Sequence, residues 1–303
     1  GCVFYGFVGP TEDDYVICRE GYISGEAVLY HLENVGDVLN EALQYADIVD
    51  LMVQGPAAEL EKLKERIAHL DPVYYPLIEG SIRRNYTHSR SGSIRSNHTR
   101  SKSPPATWYK NDTTVSLVPK FKIKEGMKEQ FLALLPQAIA LVKENEADGC
   151  VFYGFVGPTE DDYVICREGY ISGEAVLYHL ENVGDVLNEA LQYADIVDLM
   201  VQGPAAELEK LKERIAHLDP VYYPLIEGSI RRNYTHSRSG SIRSNHTRSK
   251  SPPATWYKND TTVSLVPKFK IKEGMKEQFL ALLPQAIALV KENEADGCVF
   301  YGF

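Results

Sequence analysis

Three Asn-x-Thr triplets, Asn85-Tyr-Thr, Asn97-His-Thr and Asn111-Asp-Thr, are the plainest chemical signal in these 303 residues. N-x-[ST] is the acceptor pattern for N-linked glycans, which belong on exposed loops of secreted proteins. The triplets return at Asn233, Asn245 and Asn259. They fall in or just beyond residues 81–110 and 229–258, stretches of Ser, Arg and Thr with seven Lys/Arg and no Asp or Glu. Such a composition cannot bury enough apolar surface to offset the entropy of ordering, so both stretches are predicted tethers. Ser-Arg alternation with Trp108 also fits an RS-type nucleic-acid arm. Against that reading, the three Asn of each repeat on predicted helices (Asn34, Asn40, Asn145) are not acceptors, whereas all three by the tether are. Glycosylation is the stronger reading, with no nucleic acid expected.

The other reactive side chains are sparse. Cys2 and Cys18, with their copies Cys150 and Cys166, lie on neighbouring strands of a predicted hairpin. They form a cross-strand disulfide if they fall opposite each other, and buried thiols if they do not. His69, His88 and His98 are scattered and no C-x-x-C occurs, so no metal is expected. Gly203-Pro204 opens a helix and is not a phosphate loop.

These residues sit in a repeat of unusual fidelity. Gly1-Cys-Val-Phe recurs at Gly149 and Gly297, a period of 148 residues in which 1–148 equal 149–296. Each repeat carries 21 Asp+Glu and 16 Lys+Arg. The tethers are basic, so the globular parts are acidic, and contact between cord and globule stands beside the alternative that both are simply solvated, since screened surface charge is weak. No run of about 18 apolar residues exists, so no membrane span is expected.

Within a period, Cys2–Val8 and Tyr15–Arg19 are predicted strands around a Gly9-Pro10 turn. Ser24 caps a helix whose stripe runs Leu29, Leu32, Val35, Val38, Leu39, Leu43. A strand over 48–53, a short helix after Gly55-Pro56 and a strand over 73–78 follow. Beyond the tether come a strand over 115–123, its Pro119 pointing to an edge or bulge, and a long helix over 124–147 containing Pro136. The predicted units are a partial domain at 1–80, linker 81–110, a complete domain at 111–228, linker 229–258 and a partial domain at 259–303. The two partial domains lack complementary pieces, so each is expected to be completed by an adjacent copy in a continuing array.

The segment Asp148-Gly-Cys-Val-Phe-Tyr-Gly-Phe, then Tyr163-Val-Ile-Cys-Arg-Glu168 and Ser172-Gly-Glu-Ala-Val-Leu-Tyr-His179, resembles the antibiotic-biosynthesis-monooxygenase-like family. The resemblance implies an α+β class: ferredoxin-like units of the dimeric α+β barrel type, here in tandem. One sheet face would be covered by helices and the other by a partner sheet. An open apolar face costs roughly 25 cal/mol per Å², so pairing between repeats or chains is expected. Enzymes of that family oxidise aromatic substrates without metal or flavin. The resemblance therefore points, if chemistry exists, to His179, Glu168, Arg167 and the pair Tyr153 and Tyr163. The reading as a whole is a non-catalytic, extracellular, N-glycosylated filament of self-associating units needing no cofactor. A cofactor-independent monooxygenase is the first alternative and an RS-type RNA binder the second.

Overall fold

The computed structural model describes residues 2–83, 107–109, 114–146, 148–232, 256–257 and 262–294. The first part of the chain forms β1 (Cys2–Val8), β2 (Tyr15–Tyr22), α1 (Gly25–Asn34), α2 (Gly36–Tyr45), β3 (Ala46–Gly55), α3 (Ala57–Glu61) and β4 (Val73–Arg83). The middle forms β5 (Thr107–Tyr109), β6 (Val115–Ile123), α4 (Lys128–Asn145), β7 (Cys150–Val156), β8 (Tyr163–Tyr170), α5 (Gly173–Asn182), α6 (Gly184–Tyr193), β9 (Ala194–Gly203), α7 (Ala205–Glu209) and β10 (Val221–Arg232). Last come β11 (Trp256–Tyr257), β12 (Val263–Ile271) and α8 (Lys276–Asn293). None of these helices is long and apolar enough to cross a membrane.

Ten strands close into one barrel in the order β1-β2-β12-β3-β4-β7-β8-β6-β9-β10, with β10 pairing back to β1. Two junctions, β4 with β7 and β10 with β1, are antiparallel and join a five-strand sheet from each unit. The open sheet face that the sequence demands be covered is thus covered within the chain. Apolar residues alternate to serve both sides of each sheet. Val8, Ile17, Met52, Val118, Val156, Ile165, Met200 and Val266 from both units fill the barrel interior. The alternate positions meet the helices in two outer cores, one per unit.

Several expectations change. The N-terminal unit is completed not by a neighbour but by its own chain: β12 lies between β2 and β3, and α8 packs on α1, α2 and β1. The helix expected from Ser24 onward is two helices, because the chain leaves helical geometry at Val35 (φ −95°, ψ 1°) before Gly36 starts α2. Pro119 is not at an edge but on a central strand, β6, held between β8 and β9, one residue before a register shift in the ladder to β9 between Lys120 and Phe121. Its missing N–H is tolerated because Val118 and Pro119 lie in a gap in the ladder to β8, between Leu117↔Glu168 and Lys120↔Ile165. The tethers are shorter than composition suggests: β4 and β10 run on to Arg83 and Arg232, while β5 and β11 pair with β10 and β4. All six predicted glycan acceptors lie outside the described residues.

The cysteines are not opposed. Cys150 faces Tyr170 and Cys166 faces Phe155, with the same register for Cys2 and Cys18 in the other unit, and all four are buried thiols. The disulfide alternative falls to that register.

Candidate functional site

A short chain of local causes places His179. Ser172 caps α5 by accepting from the Ala175 N–H at 3.3 Å, and Glu174 sits in the positive first turn. Gly173 lets this turn press against α7: its N–H donates to Glu207 Oε2 at 2.8 Å, and an added Cβ would meet the Glu207 carbonyl at 2.7 Å. Val176 and His179, three residues apart, then point into the outer core. At the far end of α4, the Glu146 carbonyl accepts from the N–H of Gly149 and of Cys150, fixing Glu146 at the start of β7.

These elements meet in a buried polar chain. His179 Nδ1 lies 2.9 Å from Glu146 Oε1, and Nε2 lies 3.2 Å from Glu168 Oε2. Asn182 donates to Glu146 Oε1 at 2.7 Å, and the Tyr170 hydroxyl donates to Glu168 Oε2 at 2.5 Å. The rings of Tyr153 and Tyr170 flank the imidazole at 5.2 and 5.0 Å. The N-terminal unit repeats the arrangement with His31, Glu20, Tyr22 and Asn34, and its second carboxylate, Glu294, is 2.8 Å from His31 Nδ1. A neutral imidazole donates through one nitrogen only. Carboxylates at both nitrogens therefore require an imidazolium or a proton on one carboxyl, so the chain holds a shared proton.

Burial pushes the Glu168 carboxyl up, opposed by His179 and the Tyr170 hydroxyl. A raised carboxyl is protonated more fully in the folded than in the unfolded chain, so folded stability falls as pH rises from the ordinary glutamate range through the raised value. Glu20 behaves alike. The double variant Glu20→Gln/Glu168→Gln is expected to flatten this dependence, checked by melting curves between pH 4 and pH 8. A slope as steep as that of the parent protein would contradict the assignment. Burial, reinforced by Glu168, also pushes the Cys166 thiol and Tyr153 phenol well up. Cys166 is therefore a thiol at neutral pH and no nucleophile.

The polar chain forms one end of a cavity of about 60 Å³ between sheet and helices. The remaining wall is apolar, including Leu117, Phe121, Phe131, Leu135 and Phe155. The matching cavity in the N-terminal unit is also about 60 Å³. That is room for roughly four waters at ~15 Å³ each. Among the described residues no group of three or more His, Cys, Asp or Glu is arranged to hold a metal ion.

Of the residues singled out by resemblance, His179, Glu168 and Tyr153 come together. Arg167 and Tyr163 do not. On β8, Val164, Cys166 and Tyr170 face the helices while Tyr163 and Ile165 face the barrel interior, and Arg167 shares their side by alternation. Tyr163 lies under the Lys120 and Lys122 ammonium groups, each 4.6 Å from its ring. Glu146, Tyr170 and Asn182 were missed. Tyr170 was within reach, two residues beyond Glu168 on one strand face. The sign for Glu146 is a carboxylate at the C-terminal end of a helix, where the dipole disfavours it.

No protein-family model and no curated protein matches the chain. Among solved structures it is similar to MupZ from Pseudomonas fluorescens, at 30% identity over 44% of this chain and 100% of that one, TM-score 0.35. It is also similar to protein SO0527 from Shewanella oneidensis (19% identity, 31% of this chain, 92% of that one, TM-score 0.26). A proposed monooxygenase from Lactobacillus acidophilus NCFM aligns at 9% identity over 76% of this chain and 93% of that one, TM-score 0.29. The fold stated above rests on strand pairing and not on these likenesses.

Proposed function

We propose that the chain is a structural subunit of an extracellular, N-glycosylated filament, with the closed barrel as its bead. One observation supports this: the 148-residue period repeats without a change, and each period pairs a folded unit with a basic stretch bearing glycan acceptors, so bead and cord alternate along the chain. The pocket adds support, since its polar groups are engaged with one another and its volume suits a few waters. Negative-stain micrographs of the purified protein are expected to show strings of barrels. Isolated barrels at every concentration would refute the filament.

A second reading, cofactor-independent oxidation of an aromatic substrate, is favoured by the cavity that ends on Glu168 and His179. Oxygen uptake on adding phenolic substrates, lost in His179→Gln, would support it.

A further inference from the structure

The barrel lumen carries a second set of buried polar groups, apart from the chains around His179 and His31. Ser264 lies on β12 and Ser116 on β6, the middle strands of the two five-strand sheets. Both face the lumen by alternation, two positions before Val266 and Val118. Register sets Gln54 directly beside Ser264 and Gln202 directly beside Ser116. On the other flank, β2 and β8 bring Arg19 and Arg167, two residues past Ile17 and Ile165 on the same face. Each arginine stands opposite a glycine of the next strand, Gly6 or Gly154, which adds no bulk beside the guanidinium. All six polar side chains are at most 5% exposed. Among the described residues, the Oγ atoms of Ser116 and Ser264 and the Oε1 atoms of Gln54 and Gln202 have no hydrogen-bond partner. A buried polar atom left unpaired is costly, and four of them in one half of one lumen mark a place built for an occupant.

We propose that this half of the lumen binds one inorganic phosphate ion per chain, held between the two sheets. The donors and acceptors match phosphate in its protonated forms. Guanidinium N–H groups and serine hydroxyls donate to its bare oxygens, and a P–OH donates to a glutamine Oε1. An arginine has five N–H donors, so bonds it already makes leave others for the ion. A ten-strand barrel is also wider than the eight-strand barrel that side chains just fill. Ser116 and Ser264 are equivalent positions of the repeat, so an ion between them is reached alike from both units. The site stands independently of the filament reading.

Melting of the full chain in rising phosphate, at constant ionic strength and with chloride and sulfate as companions, tests the site. Phosphate at a hundredfold excess over its Kd is expected to raise melting by about 5–10 °C. Sulfate brings no proton for the glutamines and is expected to bind ~10-fold more weakly. Equilibrium dialysis should retain close to one phosphate per chain. The double variant Ser116→Ala/Ser264→Ala removes two hydroxyls that have no partner in the protein, so its melting in chloride should match the parent's. Its phosphate affinity should fall ~10-fold or more. Should the variant melt lower in chloride, the difference between phosphate and chloride within each protein is the quantity compared. The basic stretches 81–110 and 229–258 are unchanged in the variant and control for loose ion binding. No rise in melting and no retained phosphate overturn the proposal. Equal affinity in parent and variant also overturns it, since the ion then sits elsewhere. Sulfate as tight as phosphate takes the glutamines out of the site and overturns the choice of ligand.

Discussion

Replacing His179 with leucine is expected to lower stability by about 3–5 kcal/mol, the cost of removing one partner from a buried ion pair. His179 is 2% exposed, and both its nitrogens face carboxylates. Leucine fills much of the volume, so the loss is electrostatic more than steric. Glu146 and Glu168 would then share an apolar pocket with no cation between them, and one must take up a proton or draw in water. At roughly 2–4 °C per kcal/mol for a domain of this size, melting falls by about 10 °C. Adding Glu146→Gln and Glu168→Gln to the same variant should recover part of the loss, because an amide carries no charge to desolvate. Unchanged melting of His179→Leu would show that the imidazole carries no charge-pairing role. If the residue also has a part in catalysis, oxygen uptake falls with a share of the loss that the Gln additions do not restore.

The second large effect is expected from deleting residues 262–294. β2 and β3 lose the strand between them, and the core loses ten buried side chains, Val263, Leu265, Phe269 and Ile271 from β12 and Phe279, Leu282, Leu283, Ala286, Ile287 and Val290 from α8. At about 1.5–3 kcal/mol for each large side chain, the loss exceeds the ~5–15 kcal/mol by which a domain is normally stable. Amide hydrogen exchange should then show β1, β2 and β3 unprotected, while β6, β8 and β9, whose central strand is intact, keep their protection. A peptide spanning 259–303 added in trans should restore it. Full protection of β2 and β3 in the deleted chain would mean that the two strands pair directly, and the interlocked unit would be wrong.

How much of this was legible in the sequence depended on the range of the interaction concerned. Period-2 and period-3.6 patterning located β6, β3 and α4, because local alternation of Val115, Leu117, Phe121 and Ile123 reflects a face that must be buried. It could not say that β6 is central, since Pro119 reads as an edge or a bulge residue until the lapse in the ladder to β8 and the register shift to β9 are seen. The split between α1 and α2 was hidden, because Val35 and Gly36 sit within a continuous apolar stripe and the break costs little. The cysteines miss each other because the length of the connection over 157–162 sets Cys166 opposite Phe155 and leaves Cys150 opposite Tyr170, a register that composition does not signal. For the site, motif resemblance found His179 and Glu168, but it grouped Arg167 with them although neighbours on a strand point to opposite faces. Glu146 arrives from another helix, and its place was decided by tertiary packing alone.

Strand directions add a last consequence. Passing from β1 through β2, β12, β3 and β4 to β7, the pairings are antiparallel except β3 with β4, so β1 and β7 run the same way along the barrel. β4 and β10 therefore finish at one rim, and β6 and β12 begin at that same rim. Both sequon-bearing stretches leave and re-enter the body there, whatever they do in between. Any sugar on them is carried by a stretch rooted at one pole, opposite the Gly9-Pro10 and Gly157-Pro158 turns. Barrels joined through such stretches would hang side by side from a common thread, their axes across the fibre, which a lectin should decorate along one flank only.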